Sequence, residues 1–335
     1  MGHVVAVVGA TGAVGREMLR TLERREFPCD ELRCLASARS SGKELPFRGK
    51  TIVVEELTED SFDGVDIALF SAGGSTSRKF APAAAAAGAV VIDNSSAWRM
   101  DPDCPLVVPE VNAEAARRRP KGIIANPNCS TIQMMVALKP LHDEAGIRHI
   151  IVSTYQAASG KGKAAVDELH EQRASLAAGE EPVSKVFPAS LAGNVLSDWP
   201  AGEGGYSEEE LKLVNETRKI LEDPEIGVTP TCVRVPVATG HAESIHVQFH
   251  KPLSAARARE LLAVAEGVVL GPEGYEPGAE PQPRSAAGTD PVYVGRVRDD
   301  LAVEGAINLW VVADNLLKGA ALNAVQIAEL VGAEK

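Results

Sequence analysis

The residue with the clearest chemical potential is Cys129, which lies in the segment Asn-Pro-Asn-Cys-Ser-Thr at residues 126–131. A short strand-like stretch at 122–125 precedes this segment, and the apolar residues 132–141 that follow predict a helix. A cysteine at a helix N-terminus lies near the positive end of the helix dipole and near unpaired amides, which lower the thiol pKa and favour the thiolate. The same amides can hold an oxyanion formed by attack on a carbonyl. The position therefore indicates a nucleophile, although a single free cysteine is more often an inert buried residue.

A second chemical signal is a glycine-rich turn near the N-terminus. The sequence Gly-Ala-Thr-Gly-Ala-Val-Gly at 9–15 follows the strand-like residues 4–8 and opens a helix whose apolar residues share one face. Glycines at this spacing permit a tight turn and close approach of the backbone, so that the amides of the helix N-terminus can bind a pyrophosphate. The turn predicts a dinucleotide site that includes Gly9, Thr11, Gly12, Ala13, Val14 and Gly15.

The residues after the second predicted strand bear on the choice of cofactor. A fold that binds NAD usually has an acidic residue there, which contacts the ribose hydroxyl. This chain has Ser37-Ala-Arg39-Ser40-Ser-Gly-Lys43 at that place. The segment favours the 2′-phosphate of NADP, and the alternative is that Arg39 and Lys43 are solvated loop cations.

Two further residues are candidates for binding and activating a substrate. His241 follows Gly240 at a predicted turn into a strand, where a side chain can face a cleft. Arg234 precedes it by seven residues on the strand before that turn, and a planar guanidinium suits bidentate pairing with a carboxylate. The alternatives are a surface histidine and an arginine that forms a salt bridge at a strand end.

Glu209 and Lys212 lie three residues apart in a helix predicted to begin near Ser207, so their side chains share one face. Such a pair usually lies on a solvated helix surface. The acidic neighbours Glu208 and Glu210 favour that interpretation.

The elements that position these residues change in character along the chain. In the first third, short apolar strands alternate with helices, which predicts a parallel doubly wound sheet. From Arg148 onward, longer alternating strands predict an antiparallel or mixed sheet packed on helices at 207–221 and 255–265. The predicted strands are 4–8, 32–36, 66–71, 89–93 and 122–125, then 149–156, 228–235, 244–250, 292–297 and 306–313.

Two segments near the C-terminus have other patterns. Residues 271–291 are rich in Pro, Gly and Glu, which predicts a long surface loop. The Ala-rich amphipathic residues 316–330 predict a last helix that returns to pack on the first domain.

The composition excludes several classes of protein. The 335 residues carry a formal net charge of -12, which argues against a nucleic-acid-binding face. The five cysteines have neither the spacing of a zinc site nor an even number, so neither a metal nor a disulfide framework is expected. No export signal or apolar stretch long enough for a membrane anchor is visible, and the reducing cytoplasm is the expected location.

The segment around Cys129 resembles the active-site motif of aspartate-semialdehyde dehydrogenases, and the resemblance extends over nearly the whole chain. The other segments that carry it are 71–77, 93–99, 154–160, 234–241 and 314–321. The resemblance implies an α/β fold: a Rossmann-type doubly wound parallel sheet at 1–129, completed by a C-terminal helix at 315–335, plus an α+β catalytic and dimerisation domain with a mixed sheet at 130–314. It further implies a homodimer or a homotetramer.

The resemblance also implies roles for individual residues. Cys129 matches the family's nucleophile and His241 its general acid/base, while Arg234 matches the ligand of the substrate carboxylate. Glu209 matches the contact to the substrate amino group, Lys212 and Arg99 match the phosphate ligands, and Asn128 and Gln156 match residues that position the substrate. Beyond the glycine turn, cofactor contacts are expected from Ser37, Arg39, Ser40, Ser71, Gly160 and Asn315.

The implied reaction is the reversible reductive dephosphorylation of L-4-aspartyl phosphate by NADPH, through a cysteine thioester, in the biosynthesis of lysine, threonine, methionine and isoleucine. It needs no metal. One alternative is N-acetyl-γ-glutamyl-phosphate reductase, although a Pro-Gly-Cys-Tyr-Pro type of motif would be expected there. Glyceraldehyde-phosphate dehydrogenase is disfavoured because its motif resembles Ser-Cys-Thr-Thr-Asn. A catalytically silent nucleotide-binding regulator is the alternative from another class.

Overall fold

The computed structural model describes residues 2–333. Its strands are β1 (His3–Val8), β2 (Cys29–Ala36), β3 (Glu44–Phe47), β4 (Lys50–Glu56), β5 (Ile67–Phe70), β6 (Val90–Asp93), β7 (Ile123–Ala125), β8 (Ile147–Gln156), β9 (Gly227–Arg234), β10 (His241–Phe249), β11 (Val268–Leu270), β12 (Val292–Asp299) and β13 (Ile307–Ala313). Its α-helices are α1 (Ala13–Arg24), α2 (Gly74–Ala86), α3 (Pro109–Asn112), α4 (Cys129–Ala145), α5 (Lys163–Ala177), α6 (Glu208–Ile220), α7 (Ala255–Ala263), α8 (Pro283–Ala286) and α9 (Leu322–Gly332).

The chain divides into two compact units. The first contains the residues up to Asn128 together with those from Ala320 onward, and the second extends from Cys129 to Gly319. The boundaries therefore fall after Asn128 and after Gly319, where the sequence predicted them after Cys129 and after Asp314.

The first unit contains a seven-stranded sheet in the order β3-β4-β2-β1-β5-β6-β7. Its strands from β4 to β7 pair in parallel, which confirms the predicted doubly wound parallel sheet. The hairpin of β3 and β4 was not predicted, since β3 is short and contains Pro46. A proline within a strand is tolerated at the edge of a sheet, which is where β3 lies.

The last helix belongs to the first unit. Val325 and Val331 of α9 share a core cluster with Val5 of β1 and Leu22 of α1. The helix begins later than predicted, at Leu322, and a π-helical turn at Leu317–Ala321 precedes it.

The second unit contains a six-stranded mixed sheet in the order β11-β12-β13-β10-β8-β9. Helix α4 contacts β8, β10, β12 and β13, and its residues from Ser130 to Leu138 are buried. Along β10, the alternate residues His241, Glu243, Ile245 and Val247 are buried, whereas Ser244 on the opposite face is exposed. Side chains alternate between the faces of a strand, so one face of this sheet forms the core of the unit.

The predicted loop at 271–291 follows β11 and contains α8. The indole N–H of Trp310 donates to the carbonyl of Pro281, and the backbone N–H of Gly288 donates to Asp314 Oδ2. Backbone groups of residues 271–291 therefore hydrogen-bond to side chains in β13 and directly after it.

Between residues 2 and 333, no helix has both the length and the apolar character needed to span a bilayer.

Candidate active site

The glycine turn of the first unit has the geometry expected for a backbone that closely approaches a ligand. The amide of Gly12 donates to the carbonyl of Gly9, and Gly9 has a φ of 83°. A Cβ on Gly9 would lie 2.5 Å from the carbonyl oxygen of Ser71, and one on Gly15 would lie 2.3 Å from the carbonyl oxygen of Gly9. Helix α1 then begins at Ala13 without a side-chain cap from Gly12. Only glycine fits here, and the uncapped helix start suits a pyrophosphate.

The predicted 2′-phosphate segment lies beside this turn. Residues Ala38–Ser40 form a 3₁₀ turn after β2, and Arg39 is exposed. The hydroxyl of Ser40 is 3.5 Å from Thr11 Oγ1 and accepts a hydrogen bond from Lys43 Nζ at 3.2 Å. The Ser40 hydroxyl thus lies next to the glycine turn with Lys43 bonded to it, an arrangement that fits a phosphate group.

Arg99 is held in place by backbone carbonyls of the first unit. Its Nε donates to the carbonyl of Asn126 at 3.0 Å, and its Nη2 donates to the carbonyl of Asn94 at 3.1 Å. The Asn126 side chain donates to Asn94 Oδ1 and accepts from Asn323 Nδ2, each at 2.7 Å. These contacts anchor the start of the cysteine motif, and Asn128, two residues further on, is also buried.

Cys129 is the first residue of α4, at the helix N-terminus predicted from the sequence, and it is partly exposed. A Cβ on Gly319 would lie 2.8 Å from the Cβ of Cys129 and 3.2 Å from its Cα. Real Cβ atoms do not approach so closely. The position of Cys129 therefore requires a residue without a side chain at 319. The positive end of the α4 dipole favours negative charge at this place.

The candidate residues of the second unit gather at one edge of its sheet because of strand direction. Strands β8 and β9 are parallel, and Gln156 pairs with Arg234 at their ends. Strand β10 is antiparallel to both β8 and β13, so its first residue, His241, lies opposite Ala313 at the end of β13. Gln156, Arg234, His241 and the residues after Ala313 therefore lie at the same edge.

His241 is fully buried and has a fixed orientation. Its Nδ1 accepts a hydrogen bond from the backbone N–H of Ala157 at 3.0 Å. A neutral imidazole that accepts at Nδ1 carries its proton on Nε2. Burial, together with the positive charge of Arg234, lowers the pKa of His241 to about 3. The residue is therefore a neutral imidazole at pH 7, and its Nε2 has no hydrogen-bond partner among the described residues.

Arg234 is also buried, and Gly160 fits between it and His241. A Cβ on Gly160 would lie 3.1 Å from Arg234 Nη1 and 3.4 Å from His241 Nε2. The guanidinium forms a salt bridge with Asp198, as the alternative interpretation of this residue anticipated. A salt bridge of this kind leaves other N–H groups of the guanidinium available, so it does not exclude a substrate contact.

Glu209 and Lys212 do not form the solvated surface pair that their sequence context favoured. Glu209 is 4% exposed, and its Oε2 accepts from Lys212 Nζ at 2.9 Å. Its Oε1 accepts from Gln156 Nε2 at 3.2 Å, which ties α6 to the end of β8. A capping box formed by Ser207 and Glu210 fixes the start of this helix.

Asn315 contacts the residue before His241 and lies near Gly319. Its Oδ1 accepts from the backbone N–H of Gly240 at 2.9 Å and from Ser159 Oγ at 3.1 Å. Its Cβ lies 3.6 Å from the position of a Cβ on Gly319, the residue that packs on Cys129. The Asn315 side chain therefore lies between the turn at Gly240 and Gly319, and the cofactor contact expected of it stays a prediction.

Several residues at this edge were not selected from the sequence. Asp198 and Trp199 contact Arg234, and Glu243 lies fully buried two residues after His241 on β10. Gly319 lies within 314–321, one of the segments that carry the family resemblance. Its place in that segment is the signal by which it could have been selected. Asp198 and Trp199 lie in an irregular segment without periodicity, and nothing local marks them as buried.

Two family models match the chain. Residues 4–119 match the semialdehyde dehydrogenase NAD binding domain, and residues 138–318 match the semialdehyde dehydrogenase dimerisation domain. The first unit thus has the domain type that binds a nicotinamide cofactor.

Curated relatives and solved structures agree with these models. Aspartate-semialdehyde dehydrogenase of Aquifex aeolicus is 55% identical, with 98% of each chain covered. Aspartate-semialdehyde dehydrogenase 2 of Vibrio cholerae is 54% identical, with 97% of this chain and 96% of the relative covered. The crystal structure of aspartate semialdehyde dehydrogenase II from Vibrio cholerae complexed with ASA has a TM-score of 0.95 at 52% identity, and covers 99% of this chain and 98% of that one. On this agreement in sequence, fold and domain order, the chain belongs to the aspartate-semialdehyde dehydrogenase family.

Proposed function

We propose that the protein catalyses the reversible reductive dephosphorylation of L-4-aspartyl phosphate to L-aspartate 4-semialdehyde and phosphate, with NADPH as the reductant. The observation that carries the proposal is the arrangement of the second unit. A half-exposed cysteine begins a helix, and a neutral histidine and a buried arginine lie at the adjoining edge of the sheet. Family membership and full-length identity to enzymes of this name support it.

Cys129 acts as the nucleophile in this proposal. Its thiolate attacks the acyl carbon of the aspartyl phosphate, the bond between that carbon and the phosphate oxygen breaks, and phosphate leaves. The resulting thioester accepts a hydride, which the reduced nicotinamide supplies when bound. The thiohemiacetal then collapses, and the semialdehyde leaves as the thiolate re-forms.

We propose that His241 donates a hydrogen bond to the oxygen of these intermediates. In the tautomer fixed by Ala157, Nε2–H is a hydrogen-bond donor, which suits an oxygen that carries negative charge in the thiohemiacetal. The base role implied by the family resemblance requires the proton on Nδ1 instead, and the Ala157 contact would then be lost. That role stays a prediction.

The remaining roles follow the family resemblance. Arg234 pairs with the substrate α-carboxylate, Glu209 binds the amino group, and Gln156 positions the substrate. The contact between Glu209 and Gln156 supports a common task for these two side chains. Lys212 and Arg99 are proposed as phosphate ligands, and Asn128 as a residue that positions the substrate.

NADP is the proposed cofactor rather than NAD. The support is the exposed Arg39 with Lys43 and Ser40, beside a glycine turn that excludes side chains at Gly9 and Gly15. Ser37, Ser71 and the residues of the turn would contact the same cofactor, together with Gly160 and Asn315.

The proposed assembly is a homodimer or homotetramer in the cytoplasm, serving amino-acid biosynthesis. The match of residues 138–318 to a dimerisation domain supports self-association.

The test measures NADPH absorbance during incubation with L-aspartate 4-semialdehyde, phosphate and NADP. We expect NADPH formation that requires phosphate. Cys129→Ala should reduce turnover by a factor of about a thousand or more and leave NADP affinity unchanged, because the nucleophile is lost while the glycine turn is intact.

Cys232→Ala is the matched control, since Cys232 is buried within the sheet and burial raises the pKa of its thiol. Wild-type turnover by Cys129→Ala would exclude the nucleophile assignment. Absence of turnover in wild-type protein that binds NADP would overturn the proposed reaction and favour a related acyl-phosphate reductase or a silent regulator.

A further inference from the structure

Asp198 is a buried carboxylate between two cations, and the proposed chemistry leaves it without a role. Its side chain is 0% exposed, and that of Arg234 is 3% exposed. Its Oδ1 accepts from Arg234 Nε at 3.2 Å and lies 3.1 Å from Arg234 Nη2. Its Oδ2 accepts from Lys161 Nζ at 2.9 Å.

Backbone pairing brings Asp198 to Arg234. Leu196 forms an isolated antiparallel bridge with Arg234: the amide of Leu196 donates to the carbonyl of Arg234 at 3.0 Å, and the amide of Arg234 donates back at 2.7 Å. The segment that follows Leu196 is thereby held against the end of β9. Trp199 then lies on the face of the guanidinium, with its ring centre 4.5 Å from Arg234 Cζ.

The hydrogen bonds of Arg234 leave one end of its guanidinium available. An arginine has five N–H donors. Among the described residues, Nε donates to Asp198 Oδ1 and Nη1 donates to the carbonyl of Ala157 at 2.9 Å. Nη2 lies within ion-pair distance of the same Asp198 oxygen, at 3.1 Å. Nη1 therefore keeps one N–H and Nη2 keeps at least one, and two such groups match the two oxygens of a carboxylate.

The charges around Asp198 also indicate that this place can bind an anion. Arg234 and Lys161 contribute two positive charges against the single negative charge of Asp198. A net positive charge is therefore left for an anionic group of the substrate. Without Asp198, a buried guanidinium would lose its main partner, and a different orientation would then become favourable.

We propose that Asp198, supported by Trp199, is a positioning residue that aims Arg234 at the α-carboxylate of the substrate. The proposal rests on the proposed function, since it assigns the determinant of carboxylate recognition at that same site. Asp198 acts through Arg234 and does not itself contact the substrate. It therefore sets the affinity for the carboxylate-bearing substrate and leaves phosphate and cofactor affinity alone.

The test compares Asp198→Asn and Trp199→Leu with wild type. For Asp198→Asn we expect KM for L-aspartate 4-semialdehyde to rise by roughly tenfold or more, as expected for loss of a buried charge-assisted hydrogen bond. KM for phosphate and the Kd for NADP should stay within about twofold, a separation that a general folding defect would not produce. Trp199→Leu should raise the same KM by a smaller factor.

Asp167→Asn is the matched control, because Asp167 pairs with Lys163 on the exposed surface of α5. This variant should behave as wild type. The affinity for L-2-aminobutyrate, measured by calorimetry, gives a readout that does not depend on turnover. This ligand has the amino and carboxylate groups of the substrate but no aldehyde.

An unchanged KM and an unchanged affinity for L-2-aminobutyrate in both variants would overturn the proposal. A lower KM in Asp198→Asn would also overturn it, since Asp198 would then compete with the substrate for Arg234. If Asp198→Asn does not fold, Trp199→Leu decides. If the wild-type enzyme shows no turnover, the proposed function fails, and the calorimetric comparison still tests how Asp198 affects carboxylate binding.

Discussion

The backbone N–H of Ala157 donates a hydrogen bond to Nδ1 of His241 at 3.0 Å, and this contact fixes which nitrogen of the imidazole carries the proton. Ala157 directly follows β8, and His241 is the first residue of β10, so the pairing of these two strands places the donor. Protonation of Nδ1 would put two N–H groups opposite each other. The contact therefore lowers the pKa of His241, as burial does, and both keep the imidazole neutral.

The first prediction concerns the stability of the protein at acid pH. The folded-state pKa of His241 is about 3, below the value of about 6.5 expected in the unfolded chain. The unfolded chain therefore binds a proton below pH 6.5 that the folded protein does not bind, and stability falls as the pH falls. Between pH 7.5 and pH 5 the wild type should lose about 2 kcal/mol of unfolding free energy that His241→Gln does not lose. Urea unfolding at both pH values measures this difference, and equal losses would contradict it.

The second prediction concerns Gly319, which packs against Cys129, the proposed nucleophile. An alanine here would place its Cβ 2.8 Å from the Cβ of Cys129, so the start of α4 and the turn that holds Gly319 must move apart. Since small displacements of a catalytic group can reduce rates severely, we expect Gly319→Ala to lower kcat by about tenfold or more.

The control for Gly319→Ala is Gly271→Ala, where the nearest atom to the new Cβ is 3.4 Å away. Turnover and the rate of Cys129 alkylation by iodoacetamide should be normal in the control and reduced in Gly319→Ala. Normal alkylation and turnover in Gly319→Ala would show that the added methyl group does not displace Cys129, and the prediction would be wrong.

The third prediction concerns cofactor choice. Arg39 is exposed beside Ser40, and its charge is available for a 2′-phosphate. Arg39→Ala should therefore weaken NADP binding by about tenfold and change NAD binding much less. Titration of intrinsic fluorescence with each cofactor measures both affinities. Arg20→Ala, which removes an exposed cation of α1 that pairs with Glu17, is the control. Equal loss of NADP and NAD affinity would remove the 2′-phosphate argument.

The fourth prediction concerns Glu243, a fully buried carboxyl whose two oxygens have no hydrogen-bond partner in the described part of the chain. Burial raises its pKa well above the usual value, although the nearby Gln133 amide acts in the opposite direction. Because the folded pKa is raised, the unfolded chain loses its proton first, and stability declines as the pH rises through the interval between the two values.

Glu243→Gln does not titrate, so its unfolding free energy relative to wild type should increase from about pH 4.5 upward, by about 1.4 kcal/mol for each pH unit within that interval. Urea unfolding at pH 4 and pH 7 provides the measurement. A constant difference between the two proteins would mean that the folded pKa of Glu243 is not raised.

Much of the first unit could be predicted because its signals are local. A glycine turn between a strand and an amphipathic helix fits into fifteen residues, and a parallel sheet follows from apolar strands that alternate with helices. The position of Cys129 at the start of α4 is local in the same sense. The hairpin of β3 and β4 was missed because Pro46 weakens the strand pattern, and sheet pairing at an edge overrides that preference.

The sequence by itself determined the family, the two domain types, the glycine turn and the position of Cys129 at a helix start, since each depends on residues that are neighbours in the chain. Tertiary structure alone decided that Glu209 is buried, that Ala157 selects the tautomer of His241, and that Asp198 holds Arg234 across 36 residues. The physical reason is that burial and hydrogen bonding depend on which segments meet in space. The edge of the mixed sheet collects residues from β8, β9, β10 and β13, whose order in space differs from their order in the chain.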